Sequence, residues 1–284
     1  MKLQKTLAQI EKSALLTDSA KQWARDNFVY LTQVNTPLIN VNSSAKIVKG
    51  KKLNINTGIL YLKPADSIAT TTLCAGADLA GCKMGCLESS GQLGMQTGDN
   101  AKIKRTICYL LEQKRFFNEL RAEIARHYKK HGDSLVIRLN GTSDIDFGEF
   151  ISTIPHIRCY DYTKIYARVI KNNLANYDLT FSASGNNART IKQAARAITN
   201  SYRVVIPMNN AETIGEKPIK KRIGDIKLID MDTTDARFLD KPDSVGFLRR
   251  KGSNKAERAA DSARANFFFN DQSIKALESA LKGL

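Results

Sequence analysis

The chain has 284 residues, 44 of them Lys or Arg against 28 Asp or Glu, which leaves a formal charge of +16. Hydrophobic residues make up 42 %, an ordinary share for a globular chain, and no stretch approaches the roughly 18 uncharged apolar residues of a membrane span. An acidic or neutral metabolic enzyme is not the default; a soluble protein with a polyanionic partner is expected, with a generally basic surface as the alternative.

The opening residues place Lys2, Lys5, Glu11 and Lys12 where a secretory leader keeps an unbroken apolar stretch, so no leader is expected. Leu3, Leu7, Ile10 and Ala14, then Ala20, Trp23 and Ala24, fall at helical spacing and predict an amphipathic helix or helix pair over 3–25. Across 31–63, short apolar runs are broken by Asn, Pro and Gly, which predicts a hairpin or irregular structure. The implied division is an N-terminal extension, 1–66, packed on a core of 67–284 that ends in a helical tail.

Beyond this point strands and helices alternate. Strands are expected at 68–73, 135–139, 157–162, 178–181, 203–206, 226–229 and 245–248, and helices at about 100–131, 147–154, 165–174 and 188–199. Short strands alternating with helices define an α/β fold with a parallel (βα) partial or distorted barrel of about six strands. Each strand is followed by mostly polar residues: Cys74, then Asn140 to Asp144, Tyr162 to Lys164, Ser182 to Gly185, Pro207 to Asn210, and Asp230 to Asp232. In a parallel sheet such positions share one rim, where sites are built; as single loops they also read as turns and helix caps.

Within the stretch 74–98, Cys74, Cys82 and Cys86 form C-x7-C-x3-C, with Gly76, Gly81 and Gly85 between them. Glycine lets a loop turn tightly around a metal centre, and thiolates select zinc, copper(I) or iron–sulfur clusters. Zinc would call for a fourth ligand at short spacing, whereas Cys108, His127, His131 and His156 lie elsewhere. A 4Fe-4S cluster held by three cysteines leaves one iron open. Structural zinc and plain thiols are the alternatives. Three cysteines directly after the first strand resemble the radical S-adenosylmethionine enzymes, and that resemblance implies S-adenosylmethionine as a cofactor; the spacing departs from their C-x3-C-x2-C.

At CAGADLAGCKMGCLESSGQLG, and again at RLNGTSDIDFGEF, IRCYDYTKI, NYDLTFSASGNN, DMDTTDARFLD and VGFLRRKG, the chain resembles the bacteriophage gene product 88 family over roughly 50–255. The resemblance implies a phage origin and a host-cytoplasm setting, and it supplies no reaction. Ala75 stands where the family often has proline.

From these residues Asp144, Lys164 and Ser182 are the candidate catalytic residues. Asn140, Ser143, Tyr162, Ser184 and Asp232 are the candidate cofactor-binding residues. Asp146 reads as a cap for the following helix, and Tyr160 and Tyr162 as one face of a strand. The four carboxylates around Arg237 suit a divalent metal or, better, an Asp–Arg network. Basic clusters at Lys217, Lys220, Lys221 and Arg222, and at Arg249, Arg250, Lys251 and Lys255, are the expected contacts for DNA or RNA. The function expected is an iron–sulfur, radical-S-adenosylmethionine-like enzyme acting on nucleic acid or a nucleotide; the alternative is a non-enzymatic nucleic-acid-binding protein with structural zinc.

Overall fold

The computed structural model describes residues 1–41, 53–83, 86, 96–208, 222–249 and 267–284. Three short helices lead the chain, α1 (Leu7–Glu11), α2 (Asp18–Asp26) and α3 (Phe28–Gln33). The hydroxyls of Thr6 and Thr17 cap the first two by accepting from the backbone N–H three residues on. Ile10, Ala20 and Ala24 are buried, as the helical spacing predicts; a third helix follows the expected pair and runs into the stretch expected to be hairpin or irregular, burying Leu31.

Strand β1 (Ile39–Val41) pairs antiparallel with β2 (Asn56–Leu60), Ile39 opposite Leu60. β2 in turn lies parallel to β3 (Leu135–Arg138), so the segment before residue 66 supplies two strands of the main sheet. The sheet continues through β4 (Arg158–Thr163), β5 (Tyr177–Ser182) and β6 (Val204–Met208). Strands β7 (Arg222–Ile223) and β8 (Ile226–Lys227) form a separate antiparallel pair, while β9 (Ile229–Asp230) and β10 (Val245–Arg249) complete the sheet. The order is β1-β2-β3-β4-β5-β6-β10-β9, parallel except at β1. This is a mixed α/β fold on a mostly parallel eight-stranded sheet, and up to β6 its spatial order follows chain order. In general, right-handed crossovers between parallel strands in such an order put their helices on one face.

Three elements differ from the sequence expectation. Residues 68–73 form no strand, and the strand ahead of the cysteine loop is β2. With threonine at 70, 71 and 72 there is no alternating face to bury, and the segment instead ties down the N-terminal helices: Thr70 N–H donates to Leu15 O at 3.0 Å and Thr17 N–H to Ile68 O at 3.2 Å. The long helix is two, α5 (Gln96–Leu111) and α6 (Gln113–His131), because Glu112 leaves helical geometry (φ −138°, ψ 46°). Its carboxylate accepts from Gln4 N–H at 3.0 Å and from Arg115 at 2.7 Å, binding the break to the N-terminus. Finally, 226–229 divides between β8 and β9 around buried Leu228.

Helices α4 (Ala77–Ala80), α7 (Gly148–Ser152), α8 (Tyr166–Lys171), α9 (Ala188–Thr199) and α10 (Asp271–Lys282) complete the chain. One sheet face packs on the helices. Leu135, Ile137 and Cys159 share a cluster with Ile107, Phe116, Leu120 and Ile124 of α5 and α6. Val204, Ile206 and Phe247 share another with Ala194 of α9 and Leu277 of α10. Apolar burial of this kind is the main stabilising contribution, about 25 cal/mol per Å². The opposite face carries Ile55, Val136 and Tyr160, covered by Ala236 and Phe238. No helix among the described residues is long and apolar enough to cross a membrane.

Candidate functional site

The carboxyl ends of β3, β4 and β5 meet the cysteine loop at one rim. Ala77 N–H donates to Cys74 O at 2.9 Å and opens the single turn of α4, and Gly81 closes it at φ +67°, a backbone conformation that favours glycine. The β5 loop grips this turn: Ser184 Oγ donates to Ala80 O at 2.7 Å, and the side-chain amides of Asn186 and Asn187 donate to Leu79 O at 3.0 and 3.1 Å. From the β4 side, Lys164 packs so closely on Gly76 that a Cβ there would lie 2.8 Å from its own Cβ. From the β3 side, Asp144 N–H donates to Leu73 O at 3.0 Å, and Cys74 forms an isolated parallel bridge with Asp144. Three consecutive βα loops therefore hold the cysteine loop.

Burial dominates at the thiols. Cys74 Sγ accepts from Ala65 N–H at 3.2 Å; burial pushes its pKa up to about 12, and nearby Asp144, Cys86 and Cys82 add to the rise. Burial also raises Cys82, against the pull of Lys164. Lys164 Nζ donates to Ala183 O at 2.9 Å and sits 5.1 Å from the centre of the Phe267 ring. Burial lowers it to about 8, opposed by Cys82 and Asp144. Among the described residues no group of three or more His, Cys, Asp or Glu stands in a metal-holding arrangement.

Six of the other expected site residues fall into two groups. Asn140, Ser143, Ser184 and Asp144 are occupied in holding loops. Asn140 Oδ1 accepts from Ser143 Oγ at 3.0 Å and Ile145 N–H at 2.8 Å, while its amide donates to Asp161 at 3.2 Å. Asp144 receives Arg168 at 2.5 Å, Lys164 N–H at 2.8 Å and Thr163 Oγ1 at 3.2 Å. Burial nonetheless raises its pKa, against these donors. Lys164 and Ser182 form the second group: the pairing of Thr163 with Phe181 sets them at neighbouring positions on the face away from the helices. Both are half-buried; Lys164 is held by Ala183 O, and among the described residues the Ser182 hydroxyl has no hydrogen-bond partner.

Local turn chemistry accounts for two expected features. Asp146 Oδ1 accepts from Gly148 N–H at 3.0 Å at the start of α7, and the 182–187 loop ends in a reciprocal cap between Asn187 and Thr190. The carboxylates around Arg237 separate into distinct pairs. Asp230 and Asp232 bind Arg249 at 2.8 and 3.3 Å, Asp240 binds Arg237 at 2.9 Å, and Asp235 binds Arg138 at 2.8 Å. Asp232 thus sits beside β10, engaged in an ion pair.

Asp235 was legible only as one member of an Asp–Arg network, yet it organises the sheet face away from the helices. Tyr160 and Tyr162 donate to it at 3.1 and 3.3 Å, and Arg138 lies 4.9 Å from the centre of the Tyr162 ring while donating to the same carboxylate. The signal was available: Arg138, Tyr160 and Tyr162 all alternate onto one face and all need an acceptor. Of the basic clusters, Lys217, Lys220, Lys221, Arg250, Lys251 and Lys255 lie outside the described residues, as do Gly85, Asn209 and Asn210.

A mostly parallel α/β sheet with a glycine-turned three-cysteine loop clamped on its carboxyl rim is the class this fold and site define. A sequence model of the family described as gene product 88 matches residues 30–267, and the chain belongs to that bacteriophage family. No curated protein and no solved structure matches it.

Proposed function

We propose that the protein is an iron–sulfur enzyme, with a radical-S-adenosylmethionine-like partial-barrel layout and its cluster carried on Cys74, Cys82 and Cys86. The observation that carries this reading is the clamp of three βα loops on the cysteine loop, which fixes the backbone around Cys74 and Cys82 at the carboxyl rim of the sheet. Thiols that burial holds in the neutral form, as at Cys74 and Cys82, are a donor set a cation stabilises, since metal binding takes the thiolates and releases their protons. A three-cysteine 4Fe-4S cluster supplies one-electron chemistry and an open iron where S-adenosylmethionine would bind.

The chain's own residues do the rest. Lys164, beside Cys82, holds a carboxylate or phosphate of the bound molecule. Ser182, its neighbour across the strand pair, offers a hydroxyl at the same mouth. Asn140, Ser143, Asp144 and Ser184 keep the loops that carry these groups in place. The surplus of sixteen positive charges supports a nucleic acid or nucleotide substrate, met in the host cytoplasm.

The test is anaerobic reconstitution with iron and sulfide. Brown protein with broad visible absorption, stoichiometric iron and sulfide, and their loss in Cys82→Ala are expected. Colourless wild-type protein carrying stoichiometric zinc overturns the reading in favour of a structural metal site.

A further inference from the structure

Many of the described carboxylates are already engaged. Asp144 pairs with Arg168, Asp178 with Arg203, Asp235 with Arg138, Asp240 with Arg237, and Asp230 and Asp232 with Arg249. The excess charge must therefore show on the surface, and it is unevenly spread. Between Asp178 and Glu212 the sequence contains no carboxylate. Within that stretch α9 exposes Arg189, Lys192 and Arg196, none with an ion pair among the described residues. Spacings of three and four residues put all three on one helix face, over about 10 Å of axis.

The position of this face matters as much as its sign. Helix α9 begins directly after the β5 loop whose Ser184, Asn186 and Asn187 grip the cysteine loop. Its first turn therefore stands at the rim, and its charges run from the mouth down the outer side of the sheet. The face opposite this stripe is packed on α10 and the sheet through Ile191, Ala194 and Ala195, so the cations have a rigid base. A row of long, unpaired, positively charged side chains on a rigid helix matches a phosphate backbone, which carries its charges in series and releases counterions on contact. A comparable cluster, Arg126, Lys129 and Lys130, is exposed at the end of α6, but α6 leads into the amino end of β3, away from the rim.

We infer that Arg189, Lys192 and Arg196 of α9 form the phosphate-backbone contact that leads a nucleic acid strand to the cysteine-loop mouth. This rests on the proposed nucleic acid substrate, and it assigns the contact to a helix that the basic loops do not include.

Two triple variants with the same change in net charge separate location from total charge. One carries Arg189→Glu, Lys192→Glu and Arg196→Glu on α9; the other carries Arg126→Glu, Lys129→Glu and Lys130→Glu on α6. Binding of a fluorescent single-stranded oligonucleotide is measured across a salt series, with circular dichroism melts and iron content on each sample. The α9 variant is expected to bind about tenfold or more weakly at moderate salt, with a log–log salt slope shallower by about two, the value for three lost phosphate contacts on a single strand. The α6 variant is expected to keep the wild-type slope. Equal weakening in both variants, unchanged binding in the α9 variant, or a wild-type protein that binds anionic vesicles and no oligonucleotide overturns the inference. Oligonucleotide binding that depends on α9 in a protein that takes up no iron retains this inference and sinks the enzyme reading alone.

Discussion

Ser184 Oγ donates to the carbonyl oxygen of Ala80 at 2.7 Å, and this bond joins the loop after β5 to the turn that ends two residues before Cys82. Ser184 is buried, so Ser184→Ala leaves a carbonyl short of its donor in a place with little access to water. A loss of about 1–3 kcal/mol is expected. Iron uptake on reconstitution should fall more than the melting temperature, because the defect lies next to Cys82 and far from the main core.

Gly81 holds φ +67° with its missing Cβ facing the Asn186 side chain, 2.8 Å away. Gly81→Ala should cost about 1–2 kcal/mol from backbone strain alone. The expected result is a folded protein by circular dichroism whose cysteine loop no longer takes up metal. Wild-type metal content in this variant would show that the loop tolerates displacement of α4.

Asp235 takes Arg138, Tyr160 and Tyr162 on the sheet face away from the helices. The Asp235 carboxylate is itself buried. Asp235→Asn removes the charge that balances Arg138, and about 3–5 kcal/mol of stability should go with it. The urea midpoint is the measurement. An Asp235→Asn midpoint equal to wild type would mean that Arg138 finds another anion.

Asp161 lies on the helix side of β4, where burial lifts its pKa to about 6 against the pull of Arg138, Asn140 N–H, Tyr177 and Arg168. The folded form thus holds this proton more tightly than the unfolded chain, whose carboxyl titrates near 3.9. The contribution to stability is complete below about pH 3.9 and is lost as pH rises through about 6, a change on the order of 3 kcal/mol. Stability measured from pH 4 to pH 7 should decline by this component, and Asp161→Asn should flatten the decline.

Much of the βα order could be read directly. Helix α9 falls at 188–199 as expected, and β3, β4, β5, β6 and β10 fall within two residues of the runs that predict them. Short β-branched runs bounded by polar loops carry that signal locally. The break at Glu112 and the loss of the 68–73 strand were not legible, because both depend on the N-terminal segment, through Gln4 N–H at Glu112 and Leu15 O at Thr70. The rim residues were found as a set, but their division was not. Asn140 and Lys164 each end a strand in a polar loop, and only packing shows that the first is saturated with hydrogen bonds and the second lies at the mouth beside Ser182.

The amino-acid sequence by itself determined the α/β class, the glycine-spaced cysteine loop and the excess of positive charge, because periodicity, composition and spacing are properties of a few neighbouring residues. Tertiary structure decided which strand precedes that loop, which polar groups at the rim are already bonded, and where cations with no ion pair among the described residues gather. Those depend on partners far apart in the chain, such as Ser184 with Ala80 and Asp235 with Arg138, and no local pattern encodes a hydrogen bond between such distant residues.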